Sequence, residues 1–198
     1  MFRFVRRLYD RTLALSAHPR AGIWLGVISF AESSFFPIPP DVMLLPMCLS
    51  NRKKALYFAG LCTAASLFGG LFGYAIGLFA FDTVGQGILQ FYGIVGQFER
   101  FQDWFTEYGS LVVFLAGFSP IPYKVITISS GVFHFPVWQF LLMSFLSRGL
   151  RFGAEALIIQ RFGNPAMAFI DRHFNTLTVV GAVLLIGGFI AVKWLMPD

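Results

Sequence analysis

Long apolar runs without charged residues dominate this chain and predict its membrane-crossing helices. Residues 55–81 and 174–192 contain no Lys, Arg, Asp or Glu, and about 20 apolar residues are enough to cross the hydrocarbon core as a helix. A third run follows Pro136 and carries three charged residues within it. We therefore expect transmembrane helices over residues 55–81, 136–160 and 174–196.

Two further apolar stretches, residues 20–50 and 108–132, are each interrupted by a Pro-x-Pro cluster. Proline removes a backbone donor and clashes with the preceding helical turn. Each stretch is therefore predicted to form two short half-helices, arranged as a re-entrant hairpin that enters and leaves the membrane on one side. The fold class that follows is an all-α integral membrane protein with a single membrane domain over residues 1–198.

The segments outside these helices are richer in charge. Residues 1–19 mix arginines with apolar positions, which predicts an amphipathic helix at the membrane surface, with a disordered basic tail as the alternative. Residues 82–107 combine acids with aromatic side chains, which predicts an external connector. Lys and Arg precede the first full span and also lie between the last two. By the positive-inside rule, the N-terminus and these loops are expected on the cytoplasmic side.

The overall composition agrees with a membrane protein. Of the 198 residues, 57% are hydrophobic and 13% are charged, which excludes an ordinary soluble globular protein. The net charge of +5 is too small to indicate binding to nucleic acid, so no such partner is expected. Cys48 and Cys62 lie in apolar segments without metal-ligand spacing, and we interpret both as structural thiols.

A short internal repeat links the two interrupted stretches. Residues 35–42, FFPIPPDV, align without gaps with residues 118–125, FSPIPYKV, and Gly70 then falls opposite Gly153. If each unit consists of one hairpin and one transmembrane helix, the second unit is inverted relative to the first. Inverted repeats with broken helices are typical of transporters. Two unrelated helix kinks are the alternative interpretation.

Ionisable residues accompany both helix breaks and the helix that follows the second break. The six candidate residues for substrate binding and transport are Glu32, Asp41, Lys124, Arg148, Arg151 and Glu155. Their charges sum to zero, and a lone charge inside a membrane is costly, so these groups should face one another or a water-filled cavity.

Purely structural roles are the alternative for several of these side chains. Lys124, Arg148 and Arg151 could extend to the membrane surface along their aliphatic stems. Asp41 could cap the helix that follows the turn. Glu32 could bond a neighbouring backbone group in its neutral form.

The segments from Glu32 to Asp41 and from Gly117 to Gly131 resemble the DedA family, also called the SNARE-associated or VTT-domain family. The similarity is greatest to a small bacterial branch in which Lys replaces a motif arginine. The resemblance implies two facing re-entrant hairpins, a bacterial inner membrane location and movement of lipids between leaflets, and it matches Glu32 and Asp41 to functional acids. The helix-break residues that carry it are Pro37, Pro39, Pro40, Pro120, Pro122, Gly117 and Gly131.

The second motif departs from the family pattern at its two basic positions. Gly117 stands where the pattern opens with arginine, and Tyr123 stands where it closes, with Lys124 one place later. The ammonium group of Lys124 then replaces a bidentate guanidinium as a phosphate ligand, unless Arg148 or Arg151 supplies the missing guanidinium. The identity of the head group is therefore left open.

These observations favour a flippase-like or scramblase-like transporter of a phosphate-bearing lipid such as a phospholipid or undecaprenyl phosphate. A proton-coupled secondary transporter of a small solute is the alternative, and a membrane-protein assembly factor is a lesser one. The chain carries no metalloprotease motif and its three histidines are scattered, so we expect neither an enzyme nor a metal site. No cofactor is expected, although coupling to protons stays open.

Membrane lipids are the expected partners of the chain, and a homodimer stays open. Gly69, Gly73 and Gly77 recur at four-residue spacing on one predicted helix. Such small residues allow close helix contact. We expect that contact within one chain rather than between two.

Overall fold

The computed structural model describes residues 15–16, 18–36, 38–81, 83, 95–118, 123–163 and 165. The predicted surface helix over 1–19 lies largely outside the described residues, as do the predicted span over 174–196 and Pro37, Pro120 and Pro122. The described residues form six α-helices and a 3₁₀ turn at Arg52–Lys54. The helices are α1 (Ala21–Ser34), α2 (Asp41–Ser50), α3 (Ala55–Ala80), α4 (Val95–Phe118), α5 (Tyr123–Val132) and α6 (Val137–Phe162).

The first interrupted stretch is broken where its described prolines lie. Helix α1 ends at Ser34 and α2 begins at Asp41, with Pro39 and Pro40 between them. Pro40 occupies the N-cap position of α2 with a φ of −65°, an angle that suits the start of a helix. In the second stretch, α4 ends at Phe118 and α5 begins at Tyr123.

The first arm of the second hairpin is longer than the sequence pattern indicates. Helix α4 begins at Val95, inside the segment assigned to an external connector. Phe105 and Val113 are buried on α4, whereas Asp103 and Glu107 are exposed. The acids therefore lie on the outer face of an amphipathic helix, and a charged face does not by itself indicate a loop.

The two long helices α3 and α6 pack together at the centre, and the shorter helices pack around them. Helices α1 and α5 pack mainly on α3, α4 packs mainly on α6, and α2 packs on both long helices. Glycines on α3 permit this closeness, because a Cβ on Gly69 or Gly77 would overlap the backbone carbonyl of Phe30 or Ile128. The predicted close contact along the α3 glycines is confirmed, and it lies within the chain.

Polarity is distributed unusually between the inside and the outside. Large apolar side chains are exposed along the long helices, with Phe79 of α3 67% exposed and Trp138 of α6 66% exposed. Hydroxyl groups are buried between the helices, at Ser29, Ser33, Ser34, Thr63, Ser66, Thr127, Ser130, Ser144 and Ser147. Such an extended apolar exterior is typical of a surface that contacts a membrane or another protein.

One stretch of the described residues, Arg52–Ala80, is long and apolar enough to cross a membrane. Helix α6 has 26 residues, but it carries the charged residues predicted for the site. These charged side chains distinguish α6 from α3, which carries none.

Candidate functional site

A buried ion pair joins α6 to the end of α1. Arg148 Nη2 donates to Glu32 Oε2 at 2.5 Å, and the Arg148 side chain is only 1% exposed. The same nitrogen also donates to Ser33 Oγ at 3.3 Å. Ser33 Oγ donates to Glu32 Oε2 at 3.3 Å and shares a hydrogen bond of 2.5 Å with Ser66 Oγ. This chain of hydrogen bonds fixes the carboxylate of α1 between α3 and α6.

The face of the Arg148 guanidinium rests on an aromatic ring of the second hairpin. Its central carbon lies 4.1 Å from the centroid of the Tyr123 ring and 5.5 Å from that of Phe152. The Tyr123 hydroxyl donates to Ser144 Oγ, which holds the ring against α6. Arg148 Nε is buried and has no hydrogen-bond partner among the described residues. The Nε–H group of Arg148 is thus a buried donor that can bind an additional acceptor.

A second cluster lies one turn along α6. Arg151 Nη2 donates to Asp41 Oδ2 at 2.5 Å, and Arg151 Nε donates to Glu155 Oε1 at 3.4 Å. Two carboxylates therefore share one guanidinium. Asp41 Oδ1 and Glu155 Oε2 are buried and have no partner among the described residues. Because a buried oxygen without a donor is costly, this cluster has capacity for a proton or another donor.

Lys124 connects the two hairpins. Its Nζ donates to the backbone carbonyl of Phe36 at 3.3 Å, and Thr127, one turn later on α5, donates to the carbonyl of Ser33 at 3.0 Å. Among the described carboxylates, none lies within ion-pair distance of Lys124. The ammonium group is partly buried and is the cation of the candidate site without a paired acid.

The sequence-predicted residues thus form two ion-pair clusters on α6 and one cation on α5. Glu32 and Asp41 come from the two arms of the first hairpin, and both reach α6. The surface alternative is wrong for Arg148, because its side chain is fully buried. Asp41 is the first residue of α2 and Pro40 occupies its N-cap, so the acid stabilises the helix from the first turn through the helix dipole.

The glycines of the second break mark close packing rather than open space. A Cβ on Gly117 would overlap the hydroxyl of Ser147, and a Cβ on Gly131 would overlap the backbone carbonyl of Tyr74. A side chain at position 117 would therefore require Ser147 to move.

Two contributors to the site were not predicted from sequence. Tyr123 was noted only as a departure from the family pattern, although its position next to Lys124 at the second break marks it as close to the site. Ser66 lies in the middle of an apolar run, and no local pattern distinguishes it from other hydroxyls of membrane helices. Contacts between helices distant in sequence decide both roles.

Comparison with known proteins gives a consistent assignment. An uncharacterised protein of Haemophilus influenzae is 48% identical over 186 residues, which cover 94% of this chain and 96% of the relative. One of Histophilus somni is 48% identical over 145 residues, covering 73% and 75%. One of Methanocaldococcus jannaschii is 26% identical over 136 residues, covering 69% and 81%. No solved structure gives a significant match.

The family comparison agrees with the resemblance seen in the two motifs. The family model of the VTT domain matches residues 38–161, a range that contains Asp41, Lys124, Arg148, Arg151 and Glu155. The range begins after Glu32, so the partner of Arg148 lies outside the matched part. On this evidence the chain belongs to the VTT-domain family, also known as the DedA or SNARE-associated family.

Proposed function

We propose that this protein crosses the bacterial cytoplasmic membrane several times and moves a phosphate-bearing lipid, such as a phospholipid or undecaprenyl phosphate, from one leaflet to the other. Membership of the VTT-domain family supports a transporter-like role at a membrane. The observation that carries the proposal is the buried, charged cluster on α6 together with Lys124, whose neighbour Tyr123 contacts Arg148 and which has no acid partner among the described residues. Such groups inside a membrane protein are functional sites by default.

The arrangement of the helices supports membrane insertion as an inverted repeat. Helices α1 and α4 each pack on the long helix of their own unit, α3 and α6 respectively. Helix α5 packs on the long helix of the other unit, α3, and α2 packs on both long helices. Both helix breaks therefore adjoin the centre of the bundle, where transporters with broken helices bind their substrates. The basic end of the molecule then faces the cytoplasm.

The phosphate group of the lipid is the chemical feature that fits the cluster. Lys124 Nζ has one backbone carbonyl as its partner, so its other donors can bind an anionic oxygen. Arg148 Nε is a second buried donor without a partner among the described residues. In the proposed bound state the phosphate lies between these two groups, which are contributed by α5 and α6. The lipid tails remain outside in the bilayer, beside the exposed apolar side chains.

The ion pairs with the first hairpin provide a means of opening and closing. Glu32 and Asp41 hold both arms of that hairpin to α6. A phosphate that approaches Arg148 competes with Glu32 for the same guanidinium. In this proposal, exchange of the carboxylate for the phosphate releases the α1 end of the hairpin and exposes the site on one side of the membrane. Release of the phosphate on the other side restores the pair.

Proton-coupled transport of a small solute is a second candidate, and the Arg151 cluster favours it. Asp41 and Glu155 share the Arg151 guanidinium, and each has one buried oxygen without a partner among the described residues. One of the two acids can accept a proton without leaving the arginine unpaired. A carrier of this kind needs a site closed to lipid, whereas a lipid carrier needs a lateral opening to the bilayer.

Transfer of labelled lipid in proteoliposomes tests the lipid proposal. Purified protein in vesicles that contain a fluorescent phospholipid or labelled undecaprenyl phosphate should accelerate the loss of label from the inner leaflet. Glu32→Ala and Lys124→Ala should each abolish this acceleration while the protein stays inserted. Wild-type vesicles that behave like empty vesicles would exclude lipid transport, and proton-driven solute uptake by the same vesicles would then support the second candidate.

A further inference from the structure

One end of the molecule gathers exposed basic side chains. Arg20 occupies the N-cap of α1, the 3₁₀ turn Arg52–Lys54 precedes α3, and Arg161 lies in the last turn of α6. The Arg52 guanidinium lies against Gly163, where an added Cβ would overlap it, so the end of α6 adjoins this turn. Residues 18–23, 51–58 and 159–163 contain no Asp or Glu. This end is therefore complementary to a negatively charged surface.

A groove opens at this basic end between α1 and α3. Its volume is about 350 Å³, and its lining consists of Pro19, Arg20, Gly22, Ile23, Tyr57 and Leu61. Arg20 supplies an exposed cation, and Ile23 and Leu61 supply apolar lining. Tyr57 is 65% exposed, and tyrosine is typical of the boundary between head groups and acyl chains.

Lys54 is the exposed N-cap residue of α3 and lies three residues before Tyr57, which lines this groove. Lys53 lies three residues before Leu56, which lines a different groove between α3 and α6. Both lysines are exposed and carry the same charge, so Lys53 provides a matched control for Lys54.

We propose that the groove between α1 and α3 binds one anionic phospholipid of the membrane leaflet at the basic end. Its phosphate lies between Arg20 and Lys54, and one acyl chain follows Ile23 and Leu61. An amphipathic ligand matches a groove with exposed cations and an apolar lining, whereas a free phosphate would use only the cations. The inference rests on the membrane location in the proposed function, but not on lipid transport, and the groove shares no residue with the Arg148 and Arg151 clusters.

Native mass spectrometry of the detergent-purified full chain tests this site. With added phosphatidylglycerol and phosphatidylcholine as probes, the wild type should retain one molecule of phosphatidylglycerol in preference to phosphatidylcholine. Arg20→Gln and Lys54→Gln should each lower this binding about fivefold, because each cation near an anionic surface contributes a similar free energy of binding. The two contributions add, so the double variant should lower the binding about 30-fold. Lys53→Gln removes the same charge from the neighbouring position in the turn before α3 and should leave the preference unchanged.

A charge-neutral variant tests the apolar part of the groove. A Cβ on Gly22 meets only Leu61 Cδ2, at 3.8 Å, so Gly22→Leu should fold and fill the groove. We expect it to lower phosphatidylglycerol binding, whereas Gly60→Leu on the other face of α3 should not. Binding of free inorganic phosphate with the same affinity as the lipid would overturn the assignment to a phospholipid.

Two further results would contradict the site. One is equal retention of phosphatidylglycerol and phosphatidylcholine by the wild type, and the other is equal binding by the Arg20→Gln/Lys54→Gln double variant and the Lys53→Gln control. Failure of lipid transport can be recognised separately. Glu32→Gln should lose lipid transfer yet keep the phosphatidylglycerol preference, and a wild type that transfers no lipid but keeps the preference would refute only the proposed function.

Discussion

Arg148 of α6 lies on the ring of Tyr123 of α5, with 4.1 Å between the guanidinium carbon and the ring centroid. The edge of the same guanidinium pairs with Glu32 of α1. One side chain thus joins α6 to both α1 and α5. Because the ring orients the guanidinium and the acid neutralises it, the charge is tolerated in an apolar molecule.

Removing the ring beneath Arg148 should destabilise the protein more than removing the Tyr123 hydroxyl. Tyr123→Phe keeps the ring and loses the hydrogen bond to Ser144, which costs about 1 kcal/mol. Tyr123→Leu also loses the cation–π contact, worth up to about 2 kcal/mol more in a desolvated site. Thermal unfolding in detergent measures the order of the two variants. Equal losses would mean that the ring contributes only apolar bulk.

The pair between Glu32 and Arg148 should show strong energetic coupling. Glu32→Gln or Arg148→Met alone leaves a buried charge without its counter-ion, and each should cost about 3–5 kcal/mol of stability. The double variant removes both charges and should cost less than the sum of the single variants. A double-mutant cycle by thermal or chemical unfolding in detergent measures this difference. Additive effects would show that the two side chains do not depend on each other.

The charged residues of the site could be predicted from the sequence because charge is scarce in this chain. Glu32, Asp41, Arg148 and Arg151 stood out in apolar surroundings, and the structure brings them into pairs. The pairing itself could not be predicted. Which acid meets which arginine depends on how the first hairpin packs against α6, and no local pattern records that.

The elements were predictable where one physical effect dominated. Proline fixed the break between α1 and α2, and the four-residue spacing of glycines predicted the close contact of α3. The start of α4 at Val95 was not predicted, because its exposed acids hid an amphipathic face. Tyr123 was missed for a related reason, since an aromatic residue in an apolar chain has no distinguishing sequence signal.

Two glycines should respond oppositely to the same substitution. In Gly131→Ala the added methyl group would overlap the backbone carbonyl of Tyr74, so α5 must move away from α3, at a cost of about 1–3 kcal/mol. In Gly153→Ala the methyl group meets nothing within 4 Å. This variant should be neutral or about 0.5–1 kcal/mol more stable, because alanine favours the helix. Unfolding in detergent compares the two, and a loss at Gly153 equal to that at Gly131 would contradict the described packing.

Lys124 should matter for transport far more than for stability. Its partner is the backbone carbonyl of Phe36 rather than an acid, so Lys124→Gln leaves no carboxylate unpaired and should cost at most about 1 kcal/mol. The same change removes the cation proposed to bind the phosphate, and lipid transfer in proteoliposomes should fall at least about tenfold, since hydrogen bonds to charged groups are worth about 1.5–3 kcal/mol.

Lys124→Arg keeps the charge and should restore part of the rate, whereas Lys53→Gln removes a charge far from the site and should leave the rate unchanged. Undiminished transfer by Lys124→Gln, with the protein folded and inserted, would exclude Lys124 from phosphate binding and leave Arg148 as the remaining candidate.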